Sequence, residues 1–201
     1  MASRIDAALP HLLGPRMQVG MVVDDIQKAA AFWAEEMHVG PWILIEDGIG
    51  DRRFMYRGET SEVRFSVAFS YTGETQLELI AQTNSAPSPF RDFLASGKEG
   101  IHHLGFWPED FEASCSSLET AGFVELCSIH LPEGTRNGIY YTAPPMVGGI
   151  VELAPLTPFR RTYMTAIERL STAWDGTRPV RRFGTRNDFI ASADFQVDSL
   201  D

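Results

Sequence analysis

The sequence has little cysteine, no long apolar run and a shortage of positive charge. Its two cysteines, Cys115 and Cys127, form no CxxC pair and have no metal-ligand spacing. That argues against a disulfide scaffold and a thiolate metal site. Cys115 falls within a helical pattern and reads as a small buried thiol. No apolar stretch approaches the roughly 20 residues needed to cross a bilayer. Residues 1–16 include Asp6 and lack a long apolar centre, so they do not read as a secretory signal, and a reducing cytoplasm is the expected location. With 27 Asp plus Glu against 17 Lys plus Arg, the formal net charge is -10. A chain this acidic gains nothing from phosphate backbones, so nucleic acid is not an expected partner, and an anionic membrane surface is disfavoured.

What remains is ordinary globular material, 44% hydrophobic and 22% charged over 201 residues. Its most informative feature is an internal repeat. QVGMVVDDIQKAAAFWAEEMHVG begins at Gln18, and HLGFWPEDFEASCSSLETAGFVE begins at His103. Aligned without gaps, the two copies match Gly20 to Gly105 and Asp25 to Asp110. Each opens with an apolar run, passes an acidic turn and enters helical periodicity. Ile26, Ala29, Ala30, Trp33 and Met37 share helical spacing, as do Phe111, Cys115, Leu118 and Ala121. Asp24 and Asp25 suit a helix start, and Gly40 and Gly122 suit helix stops.

Strand-like sequence follows each helix. The first half reads as strands over 42–46, 53–56, 63–71 and 76–80. The second reads as strands over 124–130, 138–142 and 150–153. The expected organisation is an N-terminal extension over 1–16 and a first β-α-β-β-β module over 17–83. A linker with a short helix over 84–100 and a second module over 101–155 follow. Residues 156–201 form a C-terminal helix and a polar tail in which Arg178, Arg181, Arg182 and Arg186 cluster. That tail is expected either to be flexible or to pack on a partner subunit.

Four positions stand out. Gln18 and His103 open the first strand of each repeat. Glu78 and Glu152 lie in its last strand, in LELIA and VELAP. Each glutamate sits between apolar residues, and strand neighbours face opposite sides. If those neighbours pack under the helices, all four donors face the other side of the sheet. The adjacent His102 is expected on the helix side with Leu104 and Phe106. Two carboxylates in one pocket repel unless a cation binds or one is protonated. With an imidazole and a neutral amide they offer a charge of -2 and no thiolate, which suits one divalent Zn, Ni, Co, Fe or Mn ion.

At these residues the sequence resembles the vicinal oxygen chelate superfamily of glyoxalases, methylmalonyl-CoA epimerases, extradiol dioxygenases and bleomycin-resistance proteins. The resemblance spans about 17–155. It is carried by QVGMVVDDIQKAAAFW, QLELIAQ, SPFRDFL, GIHHLGFWPEDFEA and GGIVELAP. It implies an α+β fold in which paired βαβββ modules form an open, cupped mixed sheet around a metal, with the helices outside. It implies Gln18, Glu78, His103 and Glu152 as metal ligands, a set resembling one form of glyoxalase I. The flanking text is closer to the epimerase branch, which usually has His where this chain has Gln18. The missing first histidine argues against oxygen activation of the extradiol type.

The resemblance implies an isomerase, epimerase or lyase that moves a proton beside a carbonyl while a metal stabilises the enolate. Glu152 or Glu78 would carry the proton, with Glu62 a candidate second base. The alternative is a non-catalytic, resistance-type binding protein on the same fold. Trp42, Phe54, Tyr56, Phe65, Phe69, Tyr71, Trp107, Tyr140 and Tyr141 lie on strands or their edges. Most are expected in the core and some along the cup, which suits a bulky or aromatic small-molecule substrate. Arg52, Arg53 and Arg57 could meet an anionic group at the mouth. A homodimer is the expected assembly.

Overall fold

The computed structural model describes Leu13 and residues 17–196. The expectations for 1–16 therefore fall almost wholly outside the described residues. The fold is mixed α+β, one curved sheet of eleven strands with five helices among the described residues.

The first repeat forms β1 (Met17–Val22) and α1 (Ile26–Glu35), and the second forms β7 (Gly100–Phe106) and α3 (Phe111–Thr120). The matched aspartates are their N-caps. Asp25 accepts from the backbone N–H groups of Gln27 and Lys28, and Asp110 from that of Ala113. Helix α1 ends earlier than the apolar spacing suggests, and Met37 is exposed.

The remaining strands are β2 (Trp42–Ile45), β3 (Arg53–Tyr56), β4 (Glu59–Ser61), β5 (Phe65–Thr72), β6 (Thr75–Gln82), β8 (Val124–His130), β9 (Arg136–Thr142), β10 (Ile150–Leu153) and β11 (Val180–Phe183). Their order is β11-β2-β5-β6-β1-β7-β10-β9-β8-β3-β4. Each repeat keeps its first strand beside its last, β1 with β6 and β7 with β10, both parallel. The two halves join where β1 pairs antiparallel with β7.

One strand leaves its own half. β3 was expected in the first module, yet it pairs antiparallel with β8 of the second. Only residues 46–52 join β2 to β3, although the two lie eight strand positions apart. A flat sheet would separate them by about 38 Å, at roughly 4.8 Å per strand. The eight Cα steps of the connection span at most about 28 Å. The sheet therefore curls until its far sides approach, and the crossing arm helps to close the cup. Tyr56 on that arm donates to Asp92 at 2.6 Å, tying it to α2 (Pro89–Ala95).

The apolar residues sort by face. Outside, α1 covers Met21, Trp42, Leu44, Leu77 and Leu79, while α3 covers Ile139, Tyr141, Val151 and Leu153. Inside, Phe54, Phe65, Phe69, Ile80 and Tyr140 meet Phe90 of α2, Tyr163 and Ile167 of α4 (Pro158–Thr172) and Phe189 of α5 (Arg186–Ile190). The cup is thus partly filled by the chain's own C-terminal segment.

The described part of the tail is structured. β11 pairs parallel with β2 as an edge strand. Arg178 and Arg181 bind Asp194 at 3.2 and 2.7 Å, and Arg182 binds Glu46 at 3.3 Å. A polar composition concealed this strand because an edge strand buries little surface. α5 begins with a capping box formed by Thr185 and Asp188.

Candidate metal centre

Four contiguous strands at the middle of the sheet, β6-β1-β7-β10, carry Glu78, Gln18, His103 and Glu152. The registers set these residues in two rows. In one, Gly20 stands across from Glu78 on one side and His103 on the other. In the second, Gly105 stands across from Gln18 and Glu152. Each donor flanks a glycine, and each repeat's glycine sits beside the other repeat's opening donor. A Cβ on Gly20 would stand 1.9 Å from the His103 ring, and one on Gly105 would stand 2.5 Å from Gln18 Oε1. The matched glycines therefore make room for the donor of the opposite half.

His103 Nε2 lies 3.3 Å from Glu78 Oε2 and 3.2 Å from Glu152 Oε2. One ligand atom from each of these residues lies within 4.8 Å of the other two. Gln18 is buried, and its Nε2 donates to Gln76 Oε1 at 2.6 Å. That orientation frees the carboxamide oxygen. Gln18 Oε1, Glu78 Oε2 and His103 Nε2 have no hydrogen-bond partner among the described residues. The imidazole's approaches to the carboxylates are close but poorly directed. Buried polar atoms left without partners are costly, and a cation at their meeting point removes that cost. An oxygen and nitrogen donor set with two carboxylates fits a divalent first-row ion.

Electrostatics agree with the geometry. Burial opposes the imidazolium of His103, but Glu152 and Glu78 outweigh it and push its pKa up to about 9. Burial raises Glu78, with His103 pulling it down and Glu152 pushing it up. In the metal-free protein a proton is thus held among the three groups, where it takes the place of a cation.

His102 is not on the outer face that α1 and α3 cover. The β1–β7 pairing slips between Gly20 and Met21, so His102 is the extra residue of a bulge. The bulge re-aims its ring toward Phe90 and Phe93 of α2, with ring centroids 5.6 and 5.1 Å apart. Leu104 and Ile101 are exposed on the outer face. Burial, followed by the charge of His103, lowers His102 to about 3. His102 Nδ1 lies 3.1 Å from His103 Nδ1. A neutral His102 accepts that hydrogen bond, which fixes the His103 ring and leaves its Nε2 for a cation.

Gln18, Glu78 and Glu152 open into a cavity of about 750 Å³. Phe65, Phe69, Trp107 and Tyr140 line it, whereas Trp42 and Tyr141 pack on the outer face. Tyr140 stands across from Glu152, and its ring lies 4.9 Å from that of His103. Glu62 does not reach the cavity. It is exposed between β4 and β5, and its carbonyl accepts from Asn84 at 2.7 Å. Spacing back from Glu78 could not reveal this, because Glu62 directly follows the β3–β4 arm, which crosses to the far side of the cup. Arg52 lines the cavity, but Arg53 is exposed and Arg57 pairs with Asp92 at 3.1 Å. Sequence reasoning missed Arg160 of α4 and the inward turn of Arg186, both in the wall. Only their places just after the helix caps Thr157 and Thr185 hint at a fixed orientation.

A family model for the Glyoxalase/Bleomycin resistance protein/Dioxygenase superfamily matches residues 17–142. The chain belongs to this superfamily. The superfamily match covers both repeats and both glycine-centred rows except Glu152. Solved structures agree on the fold. Methylmalonyl-CoA epimerase from Mycobacterium tuberculosis is 18% identical with a TM-score of 0.55, over 79% of this chain and 99% of that one. A hypothetical protein from Bacillus halodurans is 16% identical with a TM-score of 0.53, over 70% and 92%. A Streptomyces coelicolor methylmalonyl-CoA epimerase variant in complex with 2-nitronate-propionyl-CoA is 18% identical with a TM-score of 0.51, over 73% and 96%. No curated protein matches the chain. No described helix is long and apolar enough to cross a membrane.

Proposed function

We propose that this superfamily member is a metal-dependent isomerase, epimerase or lyase that moves a proton beside a substrate carbonyl. The observation that carries the reading is His103 Nε2, buried and unpartnered, 3.2–3.3 Å from oxygens of two glutamates, one on β6 and one on β10. Gln18, Glu78, His103 and Glu152 would hold the ion. When bound, a divalent cation there supplies Lewis acidity that polarises the carbonyl and stabilises the developing enolate.

The chain's own residues supply the rest. Glu78 and Glu152 both approach the same imidazole nitrogen, at 3.3 and 3.2 Å. One can take the proton and the same or the other can return it. His102 holds the His103 ring by their Nδ1–Nδ1 contact, and Tyr140 and Phe69 stand across from the two glutamates and keep water away. With Glu62 outside the cavity, the proton shuttle falls to the two glutamates alone.

The test is deuterium uptake. Protein loaded in turn with Zn, Ni, Co, Mn or Fe(II) is incubated in D2O with aromatic α-hydroxyketones and α-ketoaldehyde hemithioacetals. Exchange at the carbon beside the carbonyl is followed by NMR. Metal-dependent exchange that disappears in Glu78→Gln or Glu152→Gln supports the reading. Binding of these compounds without exchange under any metal would favour a resistance-type binding protein instead.

A further inference from the structure

Besides the donors, the cavity wall carries three arginines from three unrelated parts of the chain. Arg52 comes from the β2–β3 crossing, Arg160 from the first turn of α4, and Arg186 from the start of α5. None forms an ion pair with a carboxylate of the described residues. Backbone oxygens hold them instead. Arg52 Nε donates to the Ile49 carbonyl at 2.8 Å. Arg52 and Arg186 both donate to the carbonyl of Gly48. Arg160 donates to the Pro155 carbonyl and, at 2.9 Å, to that of Asn137. Two guanidiniums sharing one carbonyl are like charges held together, with no carboxylate of the described residues bonded to either.

The charge count sharpens the point, and it rests on the metal reading above. A divalent cation would neutralise Glu78 and Glu152, leaving three arginines with only Asp47 and Asp51 as counter-charges at the cavity. Asp47 also borders the cavity, but it is engaged by Arg64 at 3.9 Å and by the Gly50 N–H at 3.0 Å. Asp51 is exposed. Burial, then the charges of Arg186 and Arg160, lowers Arg52 to about 9, so it still carries its charge at neutral pH. Burial lowers Arg160 to about 10 against the pull of Glu152.

We propose that Arg52, Arg160 and Arg186 form an oxyanion-binding wall, and that the substrate is an apolar-bodied molecule with a carboxylate or phosphate at one end and the reacting carbonyl at the other. Guanidiniums suit such groups because their N–H pairs match two oxygens at once. Phe65, Phe69 and Trp107 would line the space between the anion and the donor rows. This division of labour places the reacting carbon by its charged tail, with the donors of the sheet centre left for chemistry.

The probe is phenyl phosphate, with benzoate beside it and phenol as the uncharged control. Each is titrated by calorimetry into zinc-loaded and metal-free protein. Phenyl phosphate or benzoate should bind well above phenol. Arg186→Met and Arg160→Met should each weaken the anion by about tenfold or more, the loss of one charge-assisted hydrogen bond. Arg186→Lys should lose less, phenol binding should not move, and Arg57→Met should leave the anion's affinity unchanged. Thermal melts identify any variant that fails to fold, in which case the second arginine decides. Anion binding no tighter than that of phenol, or unaltered in both methionine variants, would overturn the proposal even if zinc binds. Failure to take up metal would sink the metal centre and its charge count, and the metal-free titration then decides the arginine wall by itself.

Discussion

The two repeats place their opening donors at equivalent positions and then differ in chemistry. Gln18 is a neutral amide anchored to Gln76 at 2.6 Å. His103 is an imidazole between two carboxylates, braced from behind by His102. Their glycines differ in the same sense. A Cβ on Gly20 would meet three ring atoms of His103 within 2.4 Å, whereas one on Gly105 would meet Gln18 Oε1 at 2.5 Å, with Gln18 Cβ at 3.1 Å. Of the two opening donors, one therefore holds charge and a proton, and the other contributes only an oxygen, while each half adds one glutamate. A duplicated scaffold can thus be symmetric in backbone and asymmetric in function, because register fixes position while residue type fixes chemistry.

The largest expected effect comes from closing the space beside the ring. Gly20→Ala puts a methyl 1.9 Å from His103 and should cost about 3 kcal/mol of stability together with zinc binding. Gly105→Ala meets a carboxamide held by one hydrogen bond rather than a ring, and should cost less, about 1 kcal/mol, with zinc affinity reduced but retained. Thermal melts and zinc titration of both variants check this difference, and equal losses would contradict the asymmetry. Gln18→His would make the halves chemically alike. It should tighten zinc by about tenfold, ~1.4 kcal/mol, read by competition with a chromophoric chelator. Unchanged or weaker affinity would mean that Gln18 does not face the ion.

A smaller effect is pH-dependent. In the metal-free protein His103 is raised to about 9 from an ordinary value of 6.5. A raised histidine contributes stability that is fully present below about 6.5 and is lost as pH rises through about 9. The raised Glu78 acts in the same direction, since the folded state again binds more protons than the unfolded. The melting temperature of metal-free protein should therefore fall between pH 6.5 and 9.5, more steeply than in His103→Gln. The smallest effect belongs to Glu62. Glu62→Gln lies outside the cavity and should leave stability, metal affinity and any exchange activity unchanged.

The donor rows were legible in the sequence because they repeat. Gly20 and Gly105, Asp25 and Asp110, and the LELIA and VELAP strings mark the same places twice, and alternation along a strand then orients each donor. The His102 bulge was not legible, since a single extra residue leaves no compositional trace and breaks the alternation used to orient it. Nor was the β3–β4 arm, because Arg53–Tyr56 looks the same whether it pairs with its own half or the other. The arginine wall was hidden most deeply. Arg52, Arg160 and Arg186 lie far apart in the chain and share no periodicity, and Arg186 sits among tail arginines that form surface pairs. Only the curl of the sheet and the return of α4 and α5 into the cup bring them together.

The most direct test of the account is metal stoichiometry. Purified protein is stripped, reloaded with zinc, desalted and analysed for metal, beside His103→Ala and the Glu78→Gln, Glu152→Gln double variant. One ion per native chain and none in either folded variant is the predicted result. Native protein that takes up no divalent ion, or variants that retain it fully, would contradict the central claim that the two glycine-centred rows build one metal site.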